Sequence, residues 1–287
     1  MNRKKNTNWK NFPYTKLNNL SNFYNLNMKH IIKKINGMLL AVFCLTFVFV
    51  ACTNTKTEKQ DEPQNEIQNA LTPQEQSEGW QLLFDGTTLN GWRDFNGVGL
   101  TGPWEVKDGC LYAEGGGSDS DGYIVTDKTY ENFELSWDWK ISKGGNSGVL
   151  YHVVEGAEYK VPYATGPEFQ LIDDENFPHE LEDWQRCGVD YAMHLPDFST
   201  MKVNPAGEWN NSKIVFNNGH VEHWMNGDKI IEFKAWTEEW FALKNSGKWD
   251  DFPMYGLARE GVICLQDHGD PVWFRNIKIK VLPGRSE

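Results

Sequence analysis

The segment 133–141 alternates apolar and polar side chains at every step, and this pattern restricts the fold more than any other feature of the chain. Its sequence, FELSWDWKI, has large apolar residues at the odd positions and polar or charged residues between them. Successive side chains of a β-strand point to opposite faces, so such a strand packs one face on a core. Similar short segments recur from residue 80 to residue 282, with almost no helical periodicity. The sequence therefore predicts an all-β protein, an antiparallel β-sandwich or jelly roll.

Turn signals separate these segments. Lys107-Asp108-Gly109 and Asn226-Gly227 each stand between two alternating runs, as hairpin turns do. The predicted strands are 80–84, 104–106, 110–113, 123–126, 133–141, 147–154, 168–173, 213–216, 221–225, 229–233, 261–266 and 272–282, and one short helix is predicted over 236–243. The chain has 13 Trp, 16 Phe, 10 Tyr and 26 Gly, a composition that favours packed sheets joined by tight turns.

Residues 1–52 are predicted to hold an export signal. A basic segment at 29–34 precedes an apolar run over 38–51, and Cys52 follows directly. The run is too short for a comfortable membrane span and resembles the lipobox of bacterial lipoproteins, with Cys52 as the lipidated residue. A plain signal anchor without lipidation is the alternative. We expect Met28, or even Met38, to be the true start.

The remaining chain divides into a tether and one domain. Residues 53–78 are almost entirely polar and are predicted to be a disordered tether, because such a segment buries too little surface to order itself. Residues 79–287 are predicted to form the jelly-roll domain. We expect an exported protein held in the bacterial cell envelope by its lipid anchor, on the periplasmic face or the cell surface.

Charge and cysteine content limit the partners. The net charge of -12 argues against nucleic acid, which binds basic surfaces. Apart from the N-terminal segment, the cysteines are Cys110, Cys187 and Cys264, an odd number without metal-type spacing. One disulfide and three buried free thiols both remain open.

The segment 166–174, GPEFQLIDD, is the strongest candidate for a site. In a strand, Phe169 and Leu171 point to the core while Glu168 and Gln170 point to the opposite face. There a carboxylate and an amide can meet a polyhydroxylated ligand. The alternative is a solvent-facing side of a strand without a function.

Further polar residues on neighbouring predicted strands and loops complete a predicted cleft. Histidine suits proton transfer near neutral pH, and aromatic rings beside hydrogen-bonding groups favour carbohydrate. Each residue also has a structural interpretation: His152 and His223 as surface residues, Asp267 as a partner of the Gly269 turn or of a calcium ion, and Arg275 as the partner of a carboxylate. The candidates beside Glu168 and Gln170 are Asn146, His152, His179, His223, Gln266, Asp267, His268 and Arg275.

Five segments together resemble the 3-keto-disaccharide hydrolase family. They are WQLLFDGTTLNGW at 80–92, GNSGVL at 145–150, GPEFQLIDD at 166–174, HWMNG at 223–227 and LQDHGDPVWFRNIKI at 265–279. The resemblance spans nearly all of 79–282. It implies a concanavalin-A-like jelly roll of two curved antiparallel sheets, with a ligand on the concave face and a glycoside oxidised at C3 as substrate.

This chemistry needs a base for the C2 proton, an electrophile near the C3 oxygen and an acid for the leaving group. Glu168 is the expected base or metal-ligating carboxylate, while His223 and His152 are expected to transfer protons or to join Glu168 around a divalent ion. No cofactor is certain. The residues expected to bind substrate are Asn146, Gln170, His179, Gln266 and Arg275, with Asp267 and His268 at the rim.

Two other functions stay open. One is a non-catalytic carbohydrate-binding module, because this fold serves many functions. The other is an ordinary glycosidase that pairs Glu168 with Asp173 or Glu175 across the anomeric carbon. Gln170 stands where the strand would be expected to carry a second carboxylate, which argues against the glycosidase.

Overall fold

The computed structural model describes residues 68–117 and 122–284. This part of the chain is nearly all β and confirms the predicted sandwich of antiparallel sheets. The strands are β1 Trp80–Leu82, β2 Trp92–Asp94, β3 Trp104–Lys107, β4 Cys110–Ala113, β5 Tyr123–Tyr130, β6 Phe133–Ile141, β7 Asn146–Val153, β8 Glu168–Ile172, β9 Asn210–Asn217, β10 His220–Met225, β11 Asp228–Lys234, β12 Gly261–Gln266 and β13 Val272–Val281. Short helices are α1 Pro73–Glu78 and α2 Glu238–Lys244, with 3-10 turns at Pro162–Ala164, Asp183–Gln185 and Lys248–Asp251.

Two sheets face each other across the core. The larger has the strand order β11-β10-β9-β6-β13-β4-β3, and β1 also pairs with β13. The smaller has the order β2-β5-β12-β7-β8, so the segment singled out from the sequence is an edge strand of the smaller sheet. All the strand pairs are antiparallel, and they confirm the jelly-roll architecture.

Strand β6 shows why this sequence forms a sandwich. Its side chains alternate between buried and half-buried along the whole strand, as the sequence predicts. Trp137 and Trp139 are each 1% exposed, and Trp139 Nε1 donates a hydrogen bond of 2.9 Å to Ser212 Oγ. Burying each large side chain of this face stabilises the fold by roughly 2–3 kcal/mol.

A bulge in β13 lets one strand pair with two others on the same side. The pairing with β6 shifts between Arg275 and Lys278, and Asn276 adopts a φ of 50° there. Strand β4 pairs with 272–274 before the bulge, whereas β1 pairs with 278–280 after it. Asparagine tolerates this left-handed conformation better than most residues.

The prediction of a disordered tether is wrong for residues 68–78. Helix α1 begins with a capping box between Thr72 and Glu75. Before the helix, Asn69 and Asn276 exchange hydrogen bonds: the Asn69 N–H donates to Asn276 Oδ1 at 2.6 Å and the Asn276 N–H to Asn69 Oδ1 at 2.8 Å. The Glu75 carboxylate also contacts Lys278 Nζ at 2.8 Å. The sequence missed this contact because its partners lie more than 200 residues apart.

Two further predictions are resolved in part. Cys110, Cys187 and Cys264 are buried free thiols. The predicted signal, Cys52 and the rest of the tether lie outside the described residues. No helix within 68–117 or 122–284 is long and apolar enough to cross a membrane.

We predict that Asn276→Ala lowers the free energy of unfolding by about 2–4 kcal/mol, because it removes hydrogen bonds to Asn69 and Asp138 and forces a left-handed alanine. Asn276→Gly tolerates the backbone conformation and should recover about 1 kcal/mol of that loss. Urea unfolding of the three proteins measures the difference. Equal stability of wild type and Asn276→Ala would contradict a structural role for this bulge.

Candidate active site

The smaller sheet is buried on both faces. Its inner face packs against the larger sheet through residues such as Val149 and Phe169. Its other face, which we call the outer face, carries a separate apolar cluster that includes Val125, Leu150 and Cys264. Because side chains alternate along β8, Glu168 lies on the outer face when Phe169 lies on the inner one.

A continuous row of paired residues crosses the outer face and ends at Glu168. The pairing runs from Arg93 to Val125, from Val125 to Cys264, from Cys264 to Leu150 and from Leu150 to Glu168. The carboxylate of Glu168 therefore stands beside apolar side chains in a strand that is buried at every position, and its residue is only 6% exposed. This is the setting of a shielded carboxylate rather than of a solvated surface acid.

Gly148 makes room for that carboxylate. A Cβ atom placed on Gly148 would lie 2.1 Å from Glu168 Oε1 and 2.9 Å from its Cδ. The backbone of Gly148 does not need glycine for its conformation, so the reason for glycine here is space. Glycine within a strand often marks such a close approach, and this signal is present in the sequence.

Three amides lie near the carboxylate. Gly148 pairs with Gln170, whose Nε2 donates to the Gln185 carbonyl at 3.1 Å and to Asn146 Oδ1 at 3.4 Å. Gln266 Nε2 donates to the Tyr123 hydroxyl at 3.0 Å, and the Gln266 Oε1 atom has no hydrogen-bond partner among the described residues. The structure thus brings together Asn146, Gln170 and Gln266, three of the residues predicted to bind substrate.

Aromatic residues stand beside the same end of β8. The backbone N–H of Tyr191 donates to the Glu168 carbonyl at 3.0 Å, and the ring of Tyr191 packs edge-on against Trp184. Tyr163 contacts the apolar cluster of the outer face and packs against Phe252. Half-buried aromatic rings next to amides suit a sugar, whose ring has apolar faces and polar edges.

Lys248 is a cation that sequence reasoning missed. Its Nζ lies 4.4 Å from the ring centre of Tyr191, 4.8 Å from that of Trp249 and 5.3 Å from that of Tyr163. The residue sits in a 3-10 turn, where no periodic pattern points to it.

The structure places His152 away from Glu168. Strand β7 has one extra residue opposite Ile263 of β12, and His152 at this bulge has a φ of 51°. The bulge turns the ring inward, where it packs 4.2 Å from the centre of the Phe216 ring and contacts the Glu131 carbonyl through Nε2 at 2.8 Å. Burial lowers the pKa of His152 to about 4. The structure therefore contradicts the expectation that His152 transfers protons at Glu168, because its ring lies on the inner side of the sheet.

His223 is also separated from Glu168. It lies on β10 of the larger sheet, is 0% exposed and stacks on the inner-face residue Phe169 at 4.6 Å. Its ring is close to the Gly188 backbone, but neither ring nitrogen makes a hydrogen bond of normal geometry to a described residue. Burial lowers the pKa of His223 to about 4. Since β8 stands between the two side chains, Glu168 and His223 do not form the expected metal pair.

The other predicted residues lie apart from Glu168. Arg275 is on β13 of the larger sheet, where it contacts Asp138 at 3.3 Å and stacks on Trp209, so its structural interpretation is the correct one. His179 and His268 are exposed in loops. Asp267 accepts hydrogen bonds from the N–H groups of Gly117 and Gly269, which explains it as a loop anchor.

Within the described residues, a cluster with the geometry of metal ligands occurs on the larger sheet. It consists of His220, Glu222 and Glu232. Lys229 bridges the two carboxylates, so a side-chain cation already occupies the space between them.

Two surface cavities, of about 180 and 240 Å³, lie elsewhere. The smaller is bounded by Trp236 and Arg259, and the larger by Asp174 and Arg186 among others. Neither is lined by Glu168. The outer face remains the best candidate for an active site, because only there do the carboxylate and amides singled out from the sequence converge in the described part of the chain.

Comparison with known proteins gives an independent view of this chain. A family model described as the 3-keto-alpha-glucoside-1,2-lyase-like domain matches residues 79–280. A curated protein of Bacteroides thetaiotaomicron named 3-keto-disaccharide hydrolase is 36% identical over 231 residues, which cover 72% of this chain and 79% of that protein.

Two solved structures from Parabacteroides distasonis, both described as candidate glycosyl hydrolases, are also similar. One has 48% sequence identity and a TM-score of 0.71, and the match covers 76% of this chain and all of that one. The other has 28% sequence identity and a TM-score of 0.52, and the match covers 71% of this chain and 99% of that one. The family match contains every strand of both sheets except the last residue of β13.

The two buried histidines predict acid sensitivity that needs no substrate to measure. A histidine whose pKa falls from 6.5 to about 4 on folding is neutral in the folded state, so the unfolded state binds more protons below pH 6.5. We expect the free energy of unfolding to fall as the pH drops from 6.5 towards 4, by up to about 3 kcal/mol for each histidine. His223→Leu should remove its share of this slope in urea unfolding.

His179→Gln is the matched control, because His179 is exposed in a loop and its substitution leaves both buried histidines in place. An unchanged slope in His223→Leu would contradict the buried neutral state of His223.

Proposed function

The chain is an enzyme of the 3-keto-disaccharide hydrolase family, and on that premise we propose that it cleaves 3-keto-glycosides by elimination followed by addition of water. One observation carries the proposal. A shielded carboxylate, Glu168, lies over Gly148 on the outer face, and the amide of Gln170 follows it on the same face of β8. The next two side chains on that face of β8 are Gln170 and Ile172, neither of which is an acid.

The substrate's ketone determines the route. A carbonyl group at C3 acidifies the C–H bond at C2, so a carboxylate can take the C2 proton and leave an enediolate across C2 and C3. The electrons then form a double bond between C1 and C2, and the C1–O bond breaks. The aglycone leaves as an alcohol after gaining a proton. Water adds back, with its oxygen on C1 and a proton on C2, and the net result is hydrolysis.

Each group of the outer face has a role in this scheme. Glu168 takes the C2 proton, because its carboxylate is held in a fixed place and is shielded by apolar neighbours. Asn146, Gln170 and Gln266 hold the sugar hydroxyls, and the unpartnered carbonyl oxygen of Gln266 is an acceptor for one of them. The Tyr163 and Tyr191 rings offer an apolar surface to the sugar or to its aglycone.

The rival glycosidase mechanism is disfavoured by the surroundings of Asp173. Its Oδ2 accepts hydrogen bonds from the Gly144 N–H at 2.8 Å and from Asn176 Nδ2 at 2.9 Å. Its Oδ1 accepts from the N–H of Glu175 at 3.2 Å. Because both oxygens of Asp173 accept hydrogen bonds from loop residues, this carboxylate stabilises the loop after β8 and is not available to attack an anomeric carbon. Glu175 is exposed beyond the end of the strand.

We predict that Glu168→Gln stops aglycone release from a nitrophenyl 3-keto-α-glucoside while the fold is retained. Loss of a positioned base typically costs roughly 10²–10⁴-fold in rate. Release is followed by absorbance, with the unoxidised glucoside and a chelator-treated sample in parallel. Glu175→Gln is the matched control and should retain activity.

Several outcomes would contradict the proposed function. Near wild-type turnover by Glu168→Gln would exclude Glu168 as the base. Cleavage of the unoxidised glucoside that requires Glu168 and Glu175 together would favour the two-carboxylate glycosidase. Sugar binding without any turnover by the wild type would favour a binding module, and loss of activity with chelator would require a divalent ion that the proposed scheme does not use.

Gly148→Ala gives a second test that removes no polar group. The new Cβ would clash with the Glu168 carboxylate, which must move. A displacement of about 1 Å can cost roughly 10²-fold in rate, so we expect a folded protein with strongly reduced aglycone release. Gly99→Ala is the control, since a Cβ there meets nothing within 4 Å. Full activity in Gly148→Ala would contradict the position assigned to Glu168.

A further inference from the structure

The proposed scheme leaves one requirement unmet. Removing the C2 proton places negative charge on the C3 oxygen, and fixed positive groups aimed at such an oxygen are usually the largest contribution to rate. The amides near Glu168 are neutral, so the outer face needs a cation. Arg93 lies on this face, but its Nη1 and Nη2 contact the two oxygens of Glu155 at 2.6 and 2.5 Å. That guanidinium is therefore already neutralised.

Lys248 lies in a turn that is anchored through its neighbour Trp249. The next residue, Trp249, is buried and stacks on Tyr255 at 3.8 Å with the rings nearly parallel. Trp249 Nε1 donates a hydrogen bond of 2.9 Å to the carbonyl of Tyr191. The N–H of Tyr191 in turn donates to the carbonyl of Glu168. Two hydrogen bonds that share the backbone of Tyr191 thus connect the turn that carries Lys248 with the strand that carries Glu168.

Three aromatic rings define where the ammonium lies. Tyr191, Trp249 and Tyr163 all have their ring centres within about 5 Å of Lys248 Nζ, a range in which the negative faces of the rings attract a cation. The antiparallel bridge between Phe169 and Asp190 places Tyr191 opposite Glu168, so the Tyr191 side chain lies on the outer face. An ammonium against that ring is on the same side of the sheet as the carboxylate.

We infer that Lys248 is a further catalytic residue, whose ammonium binds the C3 oxygen of the substrate and stabilises the enediolate. This inference rests on the proposed function and adds a residue to it. The bond balance is unchanged: the proton from C2 goes to Glu168, the electron pair moves to the C3 oxygen, and Lys248 interacts with that oxygen by charge and hydrogen bonding without a covalent bond. The rings keep the ammonium in place before substrate arrives.

Lys248→Met tests the inference. Methionine retains a flexible apolar stem against the rings, so the unfolding temperature should change little. We expect kcat for release of nitrophenol from the 3-keto-α-glucoside to fall about 10²–10³-fold, with a much smaller change in KM. Exchange of the C2 proton with solvent deuterium, followed by NMR, should fall to the same extent. Lys248→Arg keeps the charge and should retain more of the activity than Lys248→Met.

Lys234→Met is the matched control, because Lys234 is exposed on β11 of the larger sheet. Wild-type turnover together with Lys248→Met activity within about threefold of wild type would overturn the inference and leave the proposed function standing. Unchanged C2 exchange with slowed nitrophenol release would also overturn it, since Lys248 would then act on the leaving group. If the wild type releases no aglycone, the proposed function fails and the inference fails with it.

Discussion

The packing of Phe169 between the two sheets determines where Glu168, the carboxylate of the candidate active site, points. Phe169 is 0% exposed, meets Trp137 edge-on at 5.3 Å and stacks on His223 at 4.6 Å. Because side chains alternate along a strand, the buried position of Phe169 directs the side chain of Glu168 to the outer face. A shift of one residue in the pairing of β7 with β8 would bring Glu168 between the sheets, where an unpaired charge is very costly. The strand register that stabilises the core therefore also sets the orientation of Glu168 in the candidate site.

Local alternation predicted part of this arrangement and failed where the chain departs from it. It gave the two faces of β6 and the orientation of Glu168 and Gln170 correctly, and the family segments gave the fold and the enzyme class. It failed for His152, because a bulge in β7 reverses the side-chain direction, and no pattern in the sequence marks that bulge. It failed for Arg275 because strand order is set by contacts between distant segments, and these place β13 in the larger sheet.

Lys248 shows a different limit of sequence reasoning. It lies in a 3-10 turn without periodicity, and its location depends on a hydrogen bond between Trp249 and Tyr191, 58 residues away in the chain. The close approach at Gly148 can be predicted from the sequence, because glycine within a strand signals that another group lies nearby. The sequence therefore singled out Glu168 and the amides, and its strand glycine marks the space for the carboxylate, whereas the proposed role of Lys248 required the folded chain.

The paired hydrogen bonds of Asn69 and Asn276 have a practical consequence for where the domain begins. The family match starts at residue 79, yet the polypeptide from Asn69 through α1 is fastened to the bulge of β13. A recombinant fragment cut at the family boundary would leave the Asn276 N–H and Oδ1 without the Asn69 groups that they bond here. The N-terminal boundary of a recombinant domain, for crystallography or for soluble enzyme, should therefore be placed before Asn69.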